Sequence, residues 1–401
     1  MAQAAEKLFP RDGTAPPPGL GRDSLIDAVR AVPLAGVIIM NMMTFSGLSY
    51  LTPEMRAEVL GTLDLIAWAF LRSTVDGKAL AAFSFMFGVS FSMILARMGH
   101  EGGLPLRRLV QRLLSLFLIG LFNAVFLYWA DILMTYAALG MILPFAARLP
   151  SWLLAGLAVL LILAGPLTLA VSGMDTAAPP ARGHVDSIDG FASPSLLDVI
   201  RQNLQMLTSA SDSADSTLLL RLFILSGLFL LGLAAGKSGL INGLAARRGL
   251  LLRLGAALTL AGLAMKLTMR LMDDPVGPWA MLNLQSSVMA LGYLMLIAFL
   301  LSARGADGAR RLLAPLGRMT LTGYLMSALL GQLVFYGWGF GLIGAVGTLA
   351  AIAVALAIYA ALLVFAHLWF RRFRVGPWEW LWRSLARLEP RPIAADRTPP
   401  R

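Results

Sequence analysis

A few polar groups interrupt an otherwise apolar sequence, and their types and spacing bound the chemistry. Asp27 and Arg30 are three residues apart, so on a helix they share a face. Such a pair is either an ion pair that anchors a helix, with Arg30 reaching for the interface, or a site for a phosphate or carboxylate. Asp131 follows Tyr128 and Trp129 and precedes Tyr136. Its carboxylate suits a helix N-terminus, or a general base or cation partner in a cavity. The tyrosines and tryptophan suit an interfacial belt or a stacking wall. Lys266 and Arg270 are four apart inside an apolar stretch. Cations there need Asp273 or Asp274 nearby, Asp131 or Asp76 from elsewhere, or an anionic ligand. Arg72, Asp76 and Lys78 would join them if residues 51–77 fold back into the same cavity. Asn41, Asn123, Asn283, Gln285 and Gln332 also lie in apolar stretches, where an amide usually bonds a neighbouring helix.

Other chemistries have no residues to carry them. The sequence has no cysteine, so it offers no disulfide, thiolate nucleophile or cysteine–metal site. His100, His184 and His367 are far apart and show no ligand spacing, so no metal site and no Ser-His-Asp arrangement is expected. The net charge of +11 raises the question of nucleic acid, but no base-reading motif accompanies it, and no nucleic-acid partner is expected.

The elements that must hold these groups are membrane helices. Of 401 residues, 58% are apolar and 14% charged, against about 25% charged in soluble proteins. Ten stretches are long enough to cross a bilayer: 29–49, 79–98, 109–129, 131–149, 151–173, 217–235, 249–270, 279–302, 315–337 and 341–370. Alternate connections (1–30, 97–112, 148, 237–253, 304–318 and 371–401) hold 25 of the 33 lysines and arginines. Basic loops stay in the cytoplasm, so the expectation is an all-α, multi-pass membrane protein of about ten spans with both termini in the cytoplasm. Residues 1–24 read as a disordered cytoplasmic tail. Residues 25–173 and 217–370 read as two five-helix halves, and 174–216 as an extracytoplasmic loop between them. Leu63, Ile66, Ala67 and Phe70 follow helical spacing within 51–77, as in an interfacial or re-entrant helix. In the basic tail 371–401, Trp378, Leu381, Trp382, Leu385 and Leu388 share one face, as in a helix lying on the membrane surface. Gly232 and Gly236 form a small-residue face for close helix packing or a homo-oligomer contact.

Several segments resemble the YeiB-like family of bacterial membrane proteins, a family built on a domain of unknown function. They are Ile26-Asp27-Ala28-Val29-Arg30-Ala31 with Asn41, Asp76-Gly77-Lys78 with Phe83–Gly88, and Tyr128-Trp129-Ala130-Asp131 with Tyr136. Gly317-Arg318-Met319-Thr320-Leu321-Thr322-Gly323-Tyr324 and Arg374-Val375-Gly376-Pro377-Trp378-Glu379 complete the set. That family in turn resembles transmembrane acyltransferases. One branch of these carries a basic residue and, eleven positions on, a histidine; here the positions hold Arg30 and Asn41. Eleven residues of helix make about three turns, so the two side chains share a face. The resemblance implies acyl-CoA as a cytoplasmic donor substrate rather than a bound cofactor, and a membrane or extracytoplasmic acceptor. It implies phosphate binding by Arg30, orientation of the thioester carbonyl by Asn41, and proton acceptance by Asp131. Asn123, Tyr136, Arg318 and Tyr324 fall in the shared segments and are expected to line the substrate site with Asp27, Asp76, Lys78, Lys266 and Arg270. Asn41, where the acyltransferase branch carries histidine, and Asn123, where relatives often do, together with Lys266 and Arg270, leave open a transporter or lipid-handling protein for an anionic or zwitterionic solute.

Overall fold

Residues 22–45 form a helix despite Pro33 near their middle, and five other long helices pack on it. The structure is a computed structural model and describes residues 22–99, 106–172, 187–212, 216–271 and 278–387. Those residues are all helical or connecting. The remainder of the predicted N-terminal tail, His100, His184, Asp273, Asp274 and Leu388 lie outside them, as do the side chains of Arg270 and Asn283.

The long helices are α1 (Arg22–Phe45), α2 (Thr62–Thr74), α3 (Lys78–Gly99), α4 (Leu106–Phe122), α5 (Leu133–Gly140), α6 (Ile142–Ala146) and α7 (Ser151–Ser172). After them come α8 (Leu196–Asp212), α9 (Ser216–Lys237), α10 (Arg248–Leu271), α11 (Pro278–Leu301), α12 (Asp307–Arg318), α13 (Thr320–Phe335), α14 (Thr348–Phe370) and α15 (Pro377–Arg387). Each predicted span contains helix, though 109–129, 131–149, 315–337 and 341–370 also hold breaks or turns. Six stretches of the described residues are long and apolar enough to cross a bilayer: 24–45, 62–96, 106–127, 248–268, 284–301 and 348–370. Residues 133–146, 151–165 and 320–335 are shorter apolar helices. This is a multi-pass, all-α membrane architecture.

Helix α1 packs against α3, α11, α12, α13 and α14. Leu34, Ile38, Met42 and Phe45 on α1 are fully buried. The interface of α3 with α9 depends on missing side chains. A Cβ at Gly88 would lie 2.1 Å from the Phe229 carbonyl, and one at Gly232 would lie 2.1 Å from that of Phe85. Gly236 in turn packs on Ser92. The small-residue face read from the sequence thus serves packing within the chain.

Three connecting segments carry structure of their own. Residues 187–212 form the short helix Ser187–Ala192 and the amphipathic α8, which bury Phe191, Val199 and Met206. Residues 62–74 form a helix that exposes Leu63, Ile66 and Phe70 and turns through Gly77 into α3. In α15 the tryptophans pack on the protein. Trp382 donates its indole N–H to the Arg112 carbonyl at 2.7 Å and sits under the Arg112 guanidinium, and the Trp378 ring packs on Phe122. The aromatic face finds a partner in α4, which competes with lipid for the same surface.

The contact that fixes α15 is polar. The chain breaks at Met319 between α12 and α13, leaving the first N–H groups of α13 without helical partners. Glu379 supplies one partner. Its Oε1 accepts the Thr322 N–H at 3.0 Å, and its Oε2 accepts the Thr322 hydroxyl at 2.6 Å. Burial pushes this carboxyl above the usual carboxylate range, and the bonds from Thr322 pull it partly back.

Two outcomes are expected. Gly232→Val should cost about 1–3 kcal/mol, seen as a lower melting temperature in detergent, because a side chain there must push α3 away. A carboxyl raised in the fold stabilises most below the ordinary carboxylate range and less as pH rises through its raised value. Thermal stability should therefore carry a component that falls with rising pH, and Glu379→Gln should remove that component.

Candidate functional site

The polar centre of the bundle is built where a helix breaks. Helix α4 widens into a π turn at Asn123–Leu127, and Tyr128 is extended. A break inside an apolar bundle frees carbonyls that must find other donors. Gln332 gives its amide N–H groups to Phe126 O at 3.1 Å and Leu127 O at 2.6 Å, and Asn203 of α8 donates to Val125 O at 3.1 Å. The Tyr128 N–H closes the turn onto Asn123 O at 2.6 Å.

Asp131 sits just after this break. Its Oδ2 accepts the Met134 N–H at 2.7 Å, so it caps the start of α5. Its Oδ1 accepts the Asn123 amide at 2.7 Å and the Tyr324 hydroxyl at 3.5 Å. The Tyr324 hydroxyl also accepts the Ile132 N–H at 3.4 Å. These partners of Asp131 are all uncharged. Asn123 is sealed behind it at 0% exposure, and Asp131 itself is partly exposed. The Asn123 carbonyl oxygen is buried with no hydrogen-bond partner. So is the amide nitrogen of Asn41, on α1. One turn beyond Asn41, the Phe45 ring packs 4.9 Å from that of Tyr128. Buried polar atoms left without a partner are unusual in a packed interior.

The other predicted residues fall into separate places. Arg30 joins three helices: it donates to Asp27 at 3.0 Å, to the Gly317 carbonyl at 3.3 Å and to the Ser90 hydroxyl at 2.9 Å. Tyr136 donates to the Leu80 carbonyl at 3.0 Å, bonds Ser84 at 2.7 Å and packs edge-on against Phe229. Arg318 donates to the Arg374 carbonyl and lies over the Phe370 ring, pinning the break at Met319 to the end of α14. Arg72 pairs with Asp76, and Lys78 and Lys266 lie within Coulombic range of one another. Asp131 keeps company with Asn123 and Tyr324 rather than with Lys266. Among the described residues no group of histidine and carboxylate side chains has metal-binding geometry. His367 instead bonds the Leu363 and Arg311 carbonyls. Ser90, Thr322 and Glu379 were not singled out from the sequence, although Thr322 and Glu379 lie in segments shared with the family.

An all-helical bundle with several crossing-length helices and a polar centre at a helix break defines a multi-pass membrane protein. Residues 235–389 match the family described as "Protein of unknown function (DUF418)". "Uncharacterized protein YxaH" of Bacillus subtilis (strain 168) is 27% identical over 395 residues, covering 93% of this chain and 96% of that protein. "Uncharacterized protein YeiB" of Escherichia coli (strain K12) is 27% identical over 386 residues, covering 91% and 96%. The chain is thus similar to YeiB and YxaH along nearly its whole length, and its second half matches the DUF418 model.

Arg30 and Asp27 make a testable pair. Arg30→Ala leaves a part-buried carboxylate and a carbonyl without their donor, which should cost about 1–3 kcal/mol. Asp27→Ala should cost less in the Arg30→Ala background than alone, as a double-mutant cycle on melting in detergent would read out.

Proposed function

We propose that this protein transfers an acyl group from acyl-CoA to a hydroxyl-bearing acceptor within the membrane. The observation that carries the reading is Asp131: a partly exposed carboxylate at a helix break, held by uncharged donors and facing a centre with unfilled hydrogen-bonding atoms. A carboxylate so placed is suited to accept a proton from a bound hydroxyl. The resemblance of the shared segments to transmembrane acyltransferases points to the same reaction class.

In this reading the donor enters from the end of the bundle where the basic loops gather, the cytoplasmic side by the charge pattern. The acceptor oxygen attacks the thioester carbonyl carbon while Asp131 takes its proton. The Asn41 amide N–H donates to the carbonyl oxygen as negative charge develops on it. The carbon–sulfur bond then breaks, the acyl–oxygen bond remains, and the proton passes from Asp131 to the leaving sulfur, releasing CoA as thiol. Tyr324 orients the carboxylate, and Arg30 supports the donor site mainly by holding α1, α3 and α12 together.

The experiment is CoA release by the purified full-length protein, given acetyl-CoA or a longer acyl-CoA and extracted membrane lipids or glycans as acceptors. Wild type should release CoA only with an acceptor present. Asp131→Asn should lower the rate by at least about 100-fold, and Asn41→Ala by about 100-fold, with melting temperatures close to wild type. Folded protein that neither binds acyl-CoA nor releases CoA with any acceptor pool would overturn the reading.

A further inference from the structure

A second polar cluster lies at the turn from α2 into α3, with Lys266 of α10 within Coulombic range, and the proposed reaction does not use it. Helix α2 ends at Thr74, and the chain turns through Gly77, whose φ of +74° suits glycine. Helix α3 then opens with Lys78. Nearby, Gly36 of α1 packs against Ala79. Gly36 is nine residues before the end of α1 at Phe45, so Lys78 lies about 13 Å below that end, at hydrocarbon depth.

Lys78 is 2% exposed. Its ammonium has three protons to donate, and the hydrogen bond described for it reaches the Arg72 carbonyl at 3.5 Å, the long limit for such a bond. Lys266 and Arg72 both repel it, and Asp76 is the one carboxylate described as acting on it. Asp76 is itself engaged in an ion pair with Arg72. Holding a buried ammonium beside two further cations in a membrane is costly, and an anion from outside the chain would offset that cost. The surroundings narrow the choice of anion. Helix α2 exposes Leu63, Ile66 and Phe70, and α10 exposes Leu260, Leu263 and Leu267. Both helices that carry the cations to this place present apolar faces outward, which suits a ligand with hydrocarbon attached to its charge.

We propose that Lys78, Lys266 and Arg72 bind the phosphate of an anionic lipid headgroup, drawn into the bundle from the leaflet opposite the chain termini. The ammonium of Lys78 supplies the buried contact, and the partly exposed Lys266 and Arg72 close over the phosphate from the membrane side. The acyl tails lie along the apolar faces of α2 and α10. This site does not depend on the acyl-transfer reading. It holds whether the lipid is an acceptor, a cargo or a fixed structural ligand.

The test is binding to the detergent-purified full chain, without acyl-CoA, followed by native mass spectrometry and thermal shift. The probes are dioctanoyl phosphatidylglycerol, dioctanoylglycerol without phosphate, and inorganic phosphate. Phosphatidylglycerol should bind at least about tenfold more tightly than dioctanoylglycerol, and Lys78→Met and Lys266→Gln should each erase most of that preference. Because Lys78→Met changes a buried residue, the half-exposed Lys266→Gln is the arm that separates lost binding from lost folding. Inorganic phosphate that competes with the lipid, and loses that ability in Lys266→Gln, would keep the oxyanion site and make a solute its source. Equal binding of the two dioctanoyl lipids, or a preference unchanged in Lys266→Gln, would overturn the proposal. Asp131→Asn should bind phosphatidylglycerol as wild type does, so failure here and failure of acyl transfer are separate results.

Discussion

In a medium without water, every main-chain N–H and C=O needs a partner inside the protein, and the break between α4 and α5 is where this fold meets that demand at a distance. An unbroken helix would satisfy itself. A broken one must recruit side chains from elsewhere, and here the recruits come from two other elements: Gln332 of α13 and Asn203 of α8. The break therefore holds α13 and the 187–212 cap in register with α4. It also creates the short non-helical run in which Asp131 and Tyr128 point inward. The polar centre follows from how the break is repaired.

Arg30 plays the equivalent part nearer the chain termini. Its guanidinium spans α1, α3 and α12 through Asp27, Ser90 and the Gly317 carbonyl. A planar fork suits that task better than an ammonium would, because it reaches several acceptors in fixed directions. The two polar anchors lie at different depths, and the aromatic and aliphatic core of α1 fills the space between them.

The helices were legible because long apolar runs separated by basic loops carry both span and orientation. Arg72, Asp76 and Lys78 were expected to join Lys266 and Arg270 only if residues 51–77 folded back; the structure pairs Arg72 with Asp76 and puts Lys78 within Coulombic range of Lys266. The break at 123–132 was not legible. Ala124-Val125-Phe126-Leu127 contains no proline or glycine, and the π turn is imposed by tertiary partners rather than by local preference. The 187–212 cap was hidden for another reason: α8 buries only one stripe, and its polar face reads as loop. The link of Glu379 to Thr322 spans 57 residues and leaves no local trace. The docking of Trp378 and Trp382 of α15 on α4 was not legible either, because a tryptophan stripe fits a protein groove as well as it fits lipid.

The position of Glu379 bears on how the protein is made. Helix α13 ends at Phe335, ahead of α14 and α15, so it is made before the carboxylate that caps its N-terminus. Until Glu379 arrives, the Thr322 N–H lacks its native acceptor. The α12–α13 joint therefore closes only after α14 has followed α13, and a nascent chain halted before Pro377 leaves it open.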